Sequence, residues 1–282
     1  MTMTSPVALN TAGEPVLLKE YLDGGILIAR MNRPERMNSL GGGLPEALND
    51  MWFEFKDDKN LKVCIITGVG DRAFGAGADL RAFAAQAQSI GASDAGAVLA
   101  AQAAARRPGM SGSVTSNNMH LYKPIIAAIN GWCVAGSCEM AMGLDFRIME
   151  AHAHMGLPEI KRSMGAATTT RKQYFLTLMG MGREIGWTGD PLNAERALKL
   201  GYANEIVPTG KSVERSVEIA RQMIAKPGNF LNYHKERFYD SIGVPISYAY
   251  ALEQRDAPEQ SREFRDGLQA SLKAGLPGWP AR

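Results

Sequence analysis

Lys123-Pro124-Ile125-Ile126-Ala127-Ala128-Ile129-Asn130-Gly131 is a near-continuous apolar run, entered through a proline and closed by Asn-Gly. It reads as a strand buried on both faces, as in a parallel sheet. The chain then enters Gly136-Ser137-Cys138-Glu139-Met140-Ala141-Met142-Gly143-Leu144, a helix started by glycine and apolar except for Glu139. Val63 to Thr67, stopped by Gly68 and Gly70, reads as another short buried strand, and Asp145 to Met149 as a third. Leu44, Leu48, Met51, Trp52 and Phe55 recur at helical spacing between Leu44 and Lys56. Upstream, Val16 to Tyr21 and Gly25 to Met31 flank Asp23-Gly24-Gly25 as a hairpin that Asn32-Arg33-Pro34 ends. Strands alternating with helices predict an α/β fold.

From Val213 the pattern is helical to the end, with Val217, Ala220, Met223 and Ile224 on one face and Phe264, Leu268 and Leu272 on another. The expected organisation is a flexible leader over 1–15, a core over 16–212 and a helical region over 213–282 whose apolar faces need a partner surface. Ala82 to Asn118, rich in alanine, serine and glutamine, reads as a mobile helix and loop.

The 282 residues are 45% hydrophobic and 21% charged, the composition of an ordinary globular protein. Basic and acidic residues, 31 and 29, are interspersed, so the net charge of +2 points to neither nucleic acid nor an anionic membrane. Cys64, Cys133 and Cys138 are an odd set in apolar sequence, which suits reduced, buried thiols. Met1 to Pro15 has no basic or apolar region of a targeting signal, and no stretch reaches the ~20 apolar residues of a membrane span. A cytoplasmic location is expected.

A carboxylate among apolar neighbours must be paired, protonated or used, and Glu139 is one. Glu159, in Gly156-Leu157-Pro158-Glu159, is a second. Two such groups point to acid/base chemistry on a small substrate, although each alone is more simply a helix-terminal or turn acid. Phe74-Gly75-Ala76-Gly77-Ala78-Asp79-Leu80 follows the strand at Val63 to Thr67, and its small residues let a ligand reach backbone N–H groups. It fits neither a dinucleotide fingerprint nor a P-loop. If this turn lies beside Gly136, two N–H groups converge on one oxygen as an oxyanion hole. No histidine partners Cys133 or Cys138 as a nucleophile, and His152 and His154 lack a third metal ligand, so no metal site is expected. The clustered methionines read as core filler.

Ala76-Gly77-Ala78-Asp79, the Lys123 to Gly131 strand, Gly136 to Glu139 and Gly156 to Glu159 together resemble the crotonase superfamily, the enoyl-CoA hydratases and isomerases. The similarity continues through Thr188-Gly189-Asp190-Pro191-Leu192 and Ala194 to Gly201 as far as Val207-Pro208. It implies a crotonase-like spiral of ββα units, an acyl-CoA thioester as substrate with coenzyme A as its part rather than a separate cofactor, and a homotrimer or dimer of trimers built through the C-terminal helices. Ala76 and Gly136 match the oxyanion-hole donors. Glu139 and Glu159 match the two glutamates that hold a water, the first activating it for attack on C3 and the second handling the proton at C2. Gly77, Ala78 and Asp79 match the substrate-lining turn, and Arg36, beside Met37, and Arg81 are expected near the phosphates of coenzyme A.

Two stretches depart from the family pattern. The glycine triplet before the first glutamate is Ala135-Gly136-Ser137, and the loop after Glu159 reads Ser163-Met164-Gly165-Ala166-Ala167-Thr168-Thr169-Thr170-Arg171. Asn130-Gly131-Trp132-Cys133 is similar to the hydroxycinnamoyl-CoA hydratase-lyases, which lack the glutamate found here as Glu139. The expected activity is hydration of the 2,3 double bond of an enoyl-CoA. The alternatives are double-bond isomerisation with Glu159 as base, or a crotonase-fold binding or scaffold protein without catalysis.

Overall fold

The structure is a computed structural model that describes residues 7–81, 120–162, 179–226, 230–241, 243–255 and 262–274. The hairpin is β1 (Leu17–Leu22) and β2 (Ile26–Met31), paired antiparallel, and the first amphipathic segment is α1 (Leu44–Asp57). There follow β3 (Val63–Gly68), β4 (Ala73–Gly75), β5 (Ile125–Ile129), β6 (Trp132–Val134) and α2 (Gly136–Met142). Next come β7 (Phe146–Glu150), β8 (His154–Gly156), α3 (Met179–Thr188), β9 (Leu192–Asn193), α4 (Ala194–Lys199) and β10 (Glu205–Val207). The described chain closes with α5 (Ser212–Ile224), α6 (Phe230–Ser241), α7 (Ile246–Arg255) and α8 (Arg262–Ala274).

The main sheet has the order β1-β2-β3-β5-β7-β10, parallel from β2 onward. A smaller sheet has the order β4-β6-β8-β9, with β4, β6 and β8 parallel. Each of β3, β5 and β7 runs within a few residues into a strand of the smaller sheet, so β3–β4, β5–β6 and β7–β8 are successive turns of one spiral. Five main-sheet strands, β1, β2, β3, β5 and β7, lie where the sequence predicts them, whereas β4, β6 and the main-sheet strand β10 are not foreseen. Three residues are too few to display a hydrophobic period.

Successive side chains of a strand point to opposite faces, and both faces of β5 are buried. Ile125, Ala127 and Ile129 join Leu27, Met31, Ile66, Trp52 and Phe55 in one cluster, which α1 covers. Ile126 and Ala128 join Ile26, Ile28, Val63, Ile65 and Ile148 in the other. Val213, Val217, Ala220, Met223 and Ile224 of α5 cover that second face. The expected boundary at 212 is therefore corrected: α5 closes the core, and the main sheet is the surface that its apolar face covers. Its start is anchored by the buried Glu150, which accepts a hydrogen bond from Ser212 Oγ at 2.7 Å.

The leader also differs from expectation. Asn10 Oδ1 accepts the Ala12 and Glu14 N–H groups, and Asn10 Nδ2 donates to the Asn32 carbonyl at 3.1 Å. Val16 N–H reaches the Ala8 carbonyl at 3.0 Å, so residues 7–15 form a bonded turn against the end of β2. Further along, Lys235 fastens α6 to the core by donating to Asp145 Oδ2 at 2.8 Å and to the Lys123 carbonyl at 3.0 Å. Ile246, Tyr248, Tyr250, Leu268 and Leu272 of α7 and α8 are exposed. No helix among the described residues is long and apolar enough to cross a membrane. The stretch from Ala82 to Asn118 and the threonine loop lie outside the described residues.

One side chain holds the corners where the spiral changes sheet. Asn130, between β5 and β6, accepts from Thr67 Oγ1 and the Gly68 N–H through Oδ1 and donates to the Gly68 and Gly70 carbonyls through Nδ2. Removing it leaves the buried Thr67 hydroxyl and both backbone groups of Gly68 without these partners. Asn130→Ala is expected to lower the unfolding free energy by about 3 kcal/mol, read as a reduced urea midpoint at unchanged slope.

Candidate active site

Parallel strands deliver their succeeding segments to the same edge of a sheet, the usual place for a ligand in α/β layers. In the smaller sheet Gly75 lies opposite Cys133, and Val134 lies opposite Gly156. The Ala135 N–H extends this pairing by donating to the Gly156 carbonyl at 2.9 Å. Beyond β4 comes the Ala76 to Asp79 turn, beyond β6 comes α2 with Glu139 in its first turn, and beyond β8 comes a 3-10 helix (Pro158–Arg162) with Glu159 in its first turn. Both glutamates are partly buried, and Oε2 of Glu159 is shut off from solvent. The two carboxylates and the glycine turn thus leave adjacent strands at one edge.

The N–H groups of the turn can be accounted for one at a time. Ala76 N–H donates to the Met37 carbonyl at 3.0 Å, Gly77 N–H to Ser137 Oγ at 3.1 Å and Asp79 N–H to the Leu40 carbonyl at 3.2 Å. Leu40 N–H donates to the Gly77 carbonyl at 2.7 Å, and Leu40 and Ala78 form a parallel bridge. In such a bridge both bonds come from the residues flanking Ala78, so its own N–H points away from Leu40. Among the described residues, neither Ala78 N–H nor Gly136 N–H meets an acceptor. The expectation for Ala76 is corrected accordingly, because its N–H is spent on Met37. Ala78, exposed at the tip of the turn, carries the uncommitted donor.

Glycine at 77 is what lets the two segments meet. Its φ is +77°, and a Cβ there would stand 2.9 Å from Gly136 N and 2.6 Å from Ala135 Cβ. Any other residue would push Ala78 and Gly136 apart.

Asp79 is the second correction. It turns inward to Arg33, with Nη2 to Oδ2 at 2.9 Å and both side chains 10% exposed, so it braces the turn rather than lining it. Arg33 also donates to the Ser39 carbonyl at 2.7 Å. Asn38, buried and with φ of 51°, accepts the Arg33 N–H and donates to the Ala73 carbonyl at 2.7 Å. In the sequence Arg33 stands out only as part of the hairpin end, and Asn38 not at all. The signal was there in polar residues set between two apolar runs. Met37, φ 53°, contributes its carbonyl to the turn, while Arg36, beside Met37, and Arg81, just past Asp79, are exposed.

Cys133 and Cys138 are fully buried, and Cys133 donates through Sγ to the Ser137 carbonyl at 3.6 Å. Burial, reinforced by Cys138, pushes the Cys133 thiol well up, which leaves it a poor nucleophile. His154 stacks on Trp132 at 4.7 Å between ring centres, and His152 Nε2 lies 2.9 Å from the Asp71 carbonyl, so both rings have structural partners.

The chain is similar to known proteins over nearly its whole length. A family model described as Enoyl-CoA hydratase/isomerase matches residues 22–279. A short-chain-enoyl-CoA hydratase of Clostridium acetobutylicum is 27% identical over 89% of this chain and 92% of its own. A carnitinyl-CoA dehydratase of Shigella flexneri is 30% identical over 92% of this chain and 97% of its own. The crystal structure of an enoyl-CoA hydratase from Bacillus anthracis superposes with a TM-score of 0.77 at 26% identity, covering 94% of this chain and 98% of that one.

Ala135 precedes α2 with φ 54° and ψ −134°, a conformation that burdens any residue with a Cβ. Glycine has no such clash, though it gives up more chain entropy on folding. Ala135→Gly is expected to stabilise the protein by about 1 kcal/mol, measured by urea unfolding. An unchanged or lowered midpoint would show that the alanine is not strained.

Proposed function

Because the chain belongs to the enoyl-CoA hydratase/isomerase family, we propose that it is an enoyl-CoA hydratase that adds water across the 2,3 double bond of an enoyl-CoA thioester. The observation that carries this reading is the convergence, at one edge of three parallel strands, of two uncommitted N–H donors, Ala78 and Gly136, with two carboxylates, Glu139 and Glu159. The thioester carbonyl oxygen sits between the two donors. As water attacks C3, charge moves onto that oxygen as an enolate, and each donor contributes ~3 kcal/mol to holding it. Glu139 accepts the proton of the attacking water, and Glu159 delivers a proton to C2 as the enolate collapses. The product carries OH on C3 and H on C2, and the addition is redox-neutral.

Water is a poor nucleophile and C2 a poor base, so both carboxylates are needed in different protonation states. Arg36 and Arg81, exposed near the donor turn, are placed by this reading beside the phosphates of coenzyme A. Gly77 and Met37 shape the turn behind the thioester. The exposed apolar residues of α7 and α8 are proposed to pair with other copies of the chain as a trimer or a dimer of trimers.

With crotonyl-CoA, Glu139→Gln is expected to lower the hydration kcat by about 100-fold or more, while thioester binding changes little. Glu159→Gln is expected to lower it comparably and also to slow exchange of the C2 proton with solvent deuterium. Hydration untouched by Glu139→Gln would sink the two-glutamate mechanism. Transfer of the double bond of a 3-enoyl-CoA that survives Glu139→Gln but not Glu159→Gln, without uptake of solvent oxygen, would establish an isomerase instead.

A further inference from the structure

Ser137 stands where the family pattern has the last glycine of its triplet, and the bulk it adds is wholly buried. Its Oγ accepts the Gly77 N–H at 3.1 Å. Gly77 precedes the donor Ala78, and Ser137 follows the donor Gly136. The bond therefore joins the two donor-bearing segments one residue away from each donor. Ala76 and Asp79, on either side, give their N–H groups to backbone carbonyls of the Met37 to Leu40 segment, which leaves Gly77 as the member of the turn bonded to α2.

The hydroxyl has little freedom to leave. A Cβ placed on Gly75 would run into Ser137 Oγ and stand 2.8 Å from Ser137 Cβ, so the side chain fills the hollow above that glycine. The Ser137 carbonyl is in turn held by the Cys133 thiol at 3.6 Å. Without the hydroxyl, the buried Gly77 N–H has no acceptor. The 76–77 peptide is then free to rotate toward one, taking Ala78 with it.

We propose that Ser137 is a positioning residue that fixes the separation and aim of the Ala78 and Gly136 N–H donors by accepting the Gly77 N–H. The proposal deepens the hydratase reading and rests on it for the substrate. It predicts a defect in the transition state rather than in binding, since the hydroxyl touches no substrate atom. Packing alone predicts no change in kcat and no shift of the bound carbonyl, because alanine retains all of the serine side chain except its oxygen.

The test compares wild type, Ser137→Ala and Ser137→Cys in two measurements on folded protein. The first is steady-state hydration of crotonyl-CoA. The second is the infrared carbonyl band of bound butyryl-CoA, a saturated thioester that cannot be hydrated. Ser137→Ala is expected to lose about tenfold in kcat with KM held within about twofold. Its butyryl-CoA band should move to higher frequency, toward the band in water. Ser137→Cys, with a weaker acceptor, should fall between the two and secure the result should the alanine variant fold poorly. Unchanged kcat and an unmoved band in both variants would overturn the role of Ser137. A wild-type protein that lowers the band without hydrating crotonyl-CoA overturns the hydratase reading while the variants still test Ser137, and one that leaves the band at its position in water overturns both.

Discussion

Backbone N–H groups in a parallel ladder alternate in direction, and that alternation governs this site. Leu40 makes both of its bonds with the neighbours of Ala78, donating to Gly77 and accepting from Asp79, so the Ala78 N–H must face away from Leu40. Gly77 removes the side chain that would separate the two segments. Shift the register by one residue and Gly77 or Asp79 would present its N–H instead, with Asp79 torn from Arg33. Ladder register, the glycine and the buried ion pair are therefore one constraint expressed through three kinds of residue.

That constraint needs support, because a turn ending in an uncommitted donor is not held by its own bonds. The support comes from buried polar groups whose value lies in being fully paired. Arg33 ties Asp79 to the Ser39 carbonyl, Asn38 links the Arg33 N–H to the Ala73 carbonyl, and Asn130 binds the β3 corner to the β5 corner. Breaking any one leaves a partner desolvated and alone, which costs more than the net worth of a hydrogen bond. Apolar burial on both faces of the main sheet holds the fold, while this polar lattice fixes where the smaller sheet puts its ends.

β3 and β5 were legible because each shows a near-continuous apolar run and is bounded by glycine or proline. The helix after Gly136, the hairpin and α1 were legible for similar reasons of period and punctuation. β4 and β6 were not, since three residues exhibit no period and their pairing is with strands distant in sequence. The place of α5 in the core was hidden for a related reason. Val213, Val217 and Ala220 reveal an apolar stripe, but a stripe does not name the surface it covers, and here that surface is the main sheet. The turn at Ala76 to Asp79 was visible as a ligand-approach turn, yet the choice of Ala76 over Ala78 needed the partner of each N–H.

By itself the sequence determined that the chain is an α/β protein with two isolated carboxylates and a glycine turn suited to a small substrate, because periodicity, glycine placement and a charge among apolar residues are local properties. Tertiary structure alone decided that these features share one edge, that Ala78 rather than Ala76 has the unspent donor, and that Asp79 belongs to Arg33. Hydrogen-bond direction and ion pairing depend on which strand lies alongside, and residues 40, 78 and 136 become neighbours only when the spiral closes.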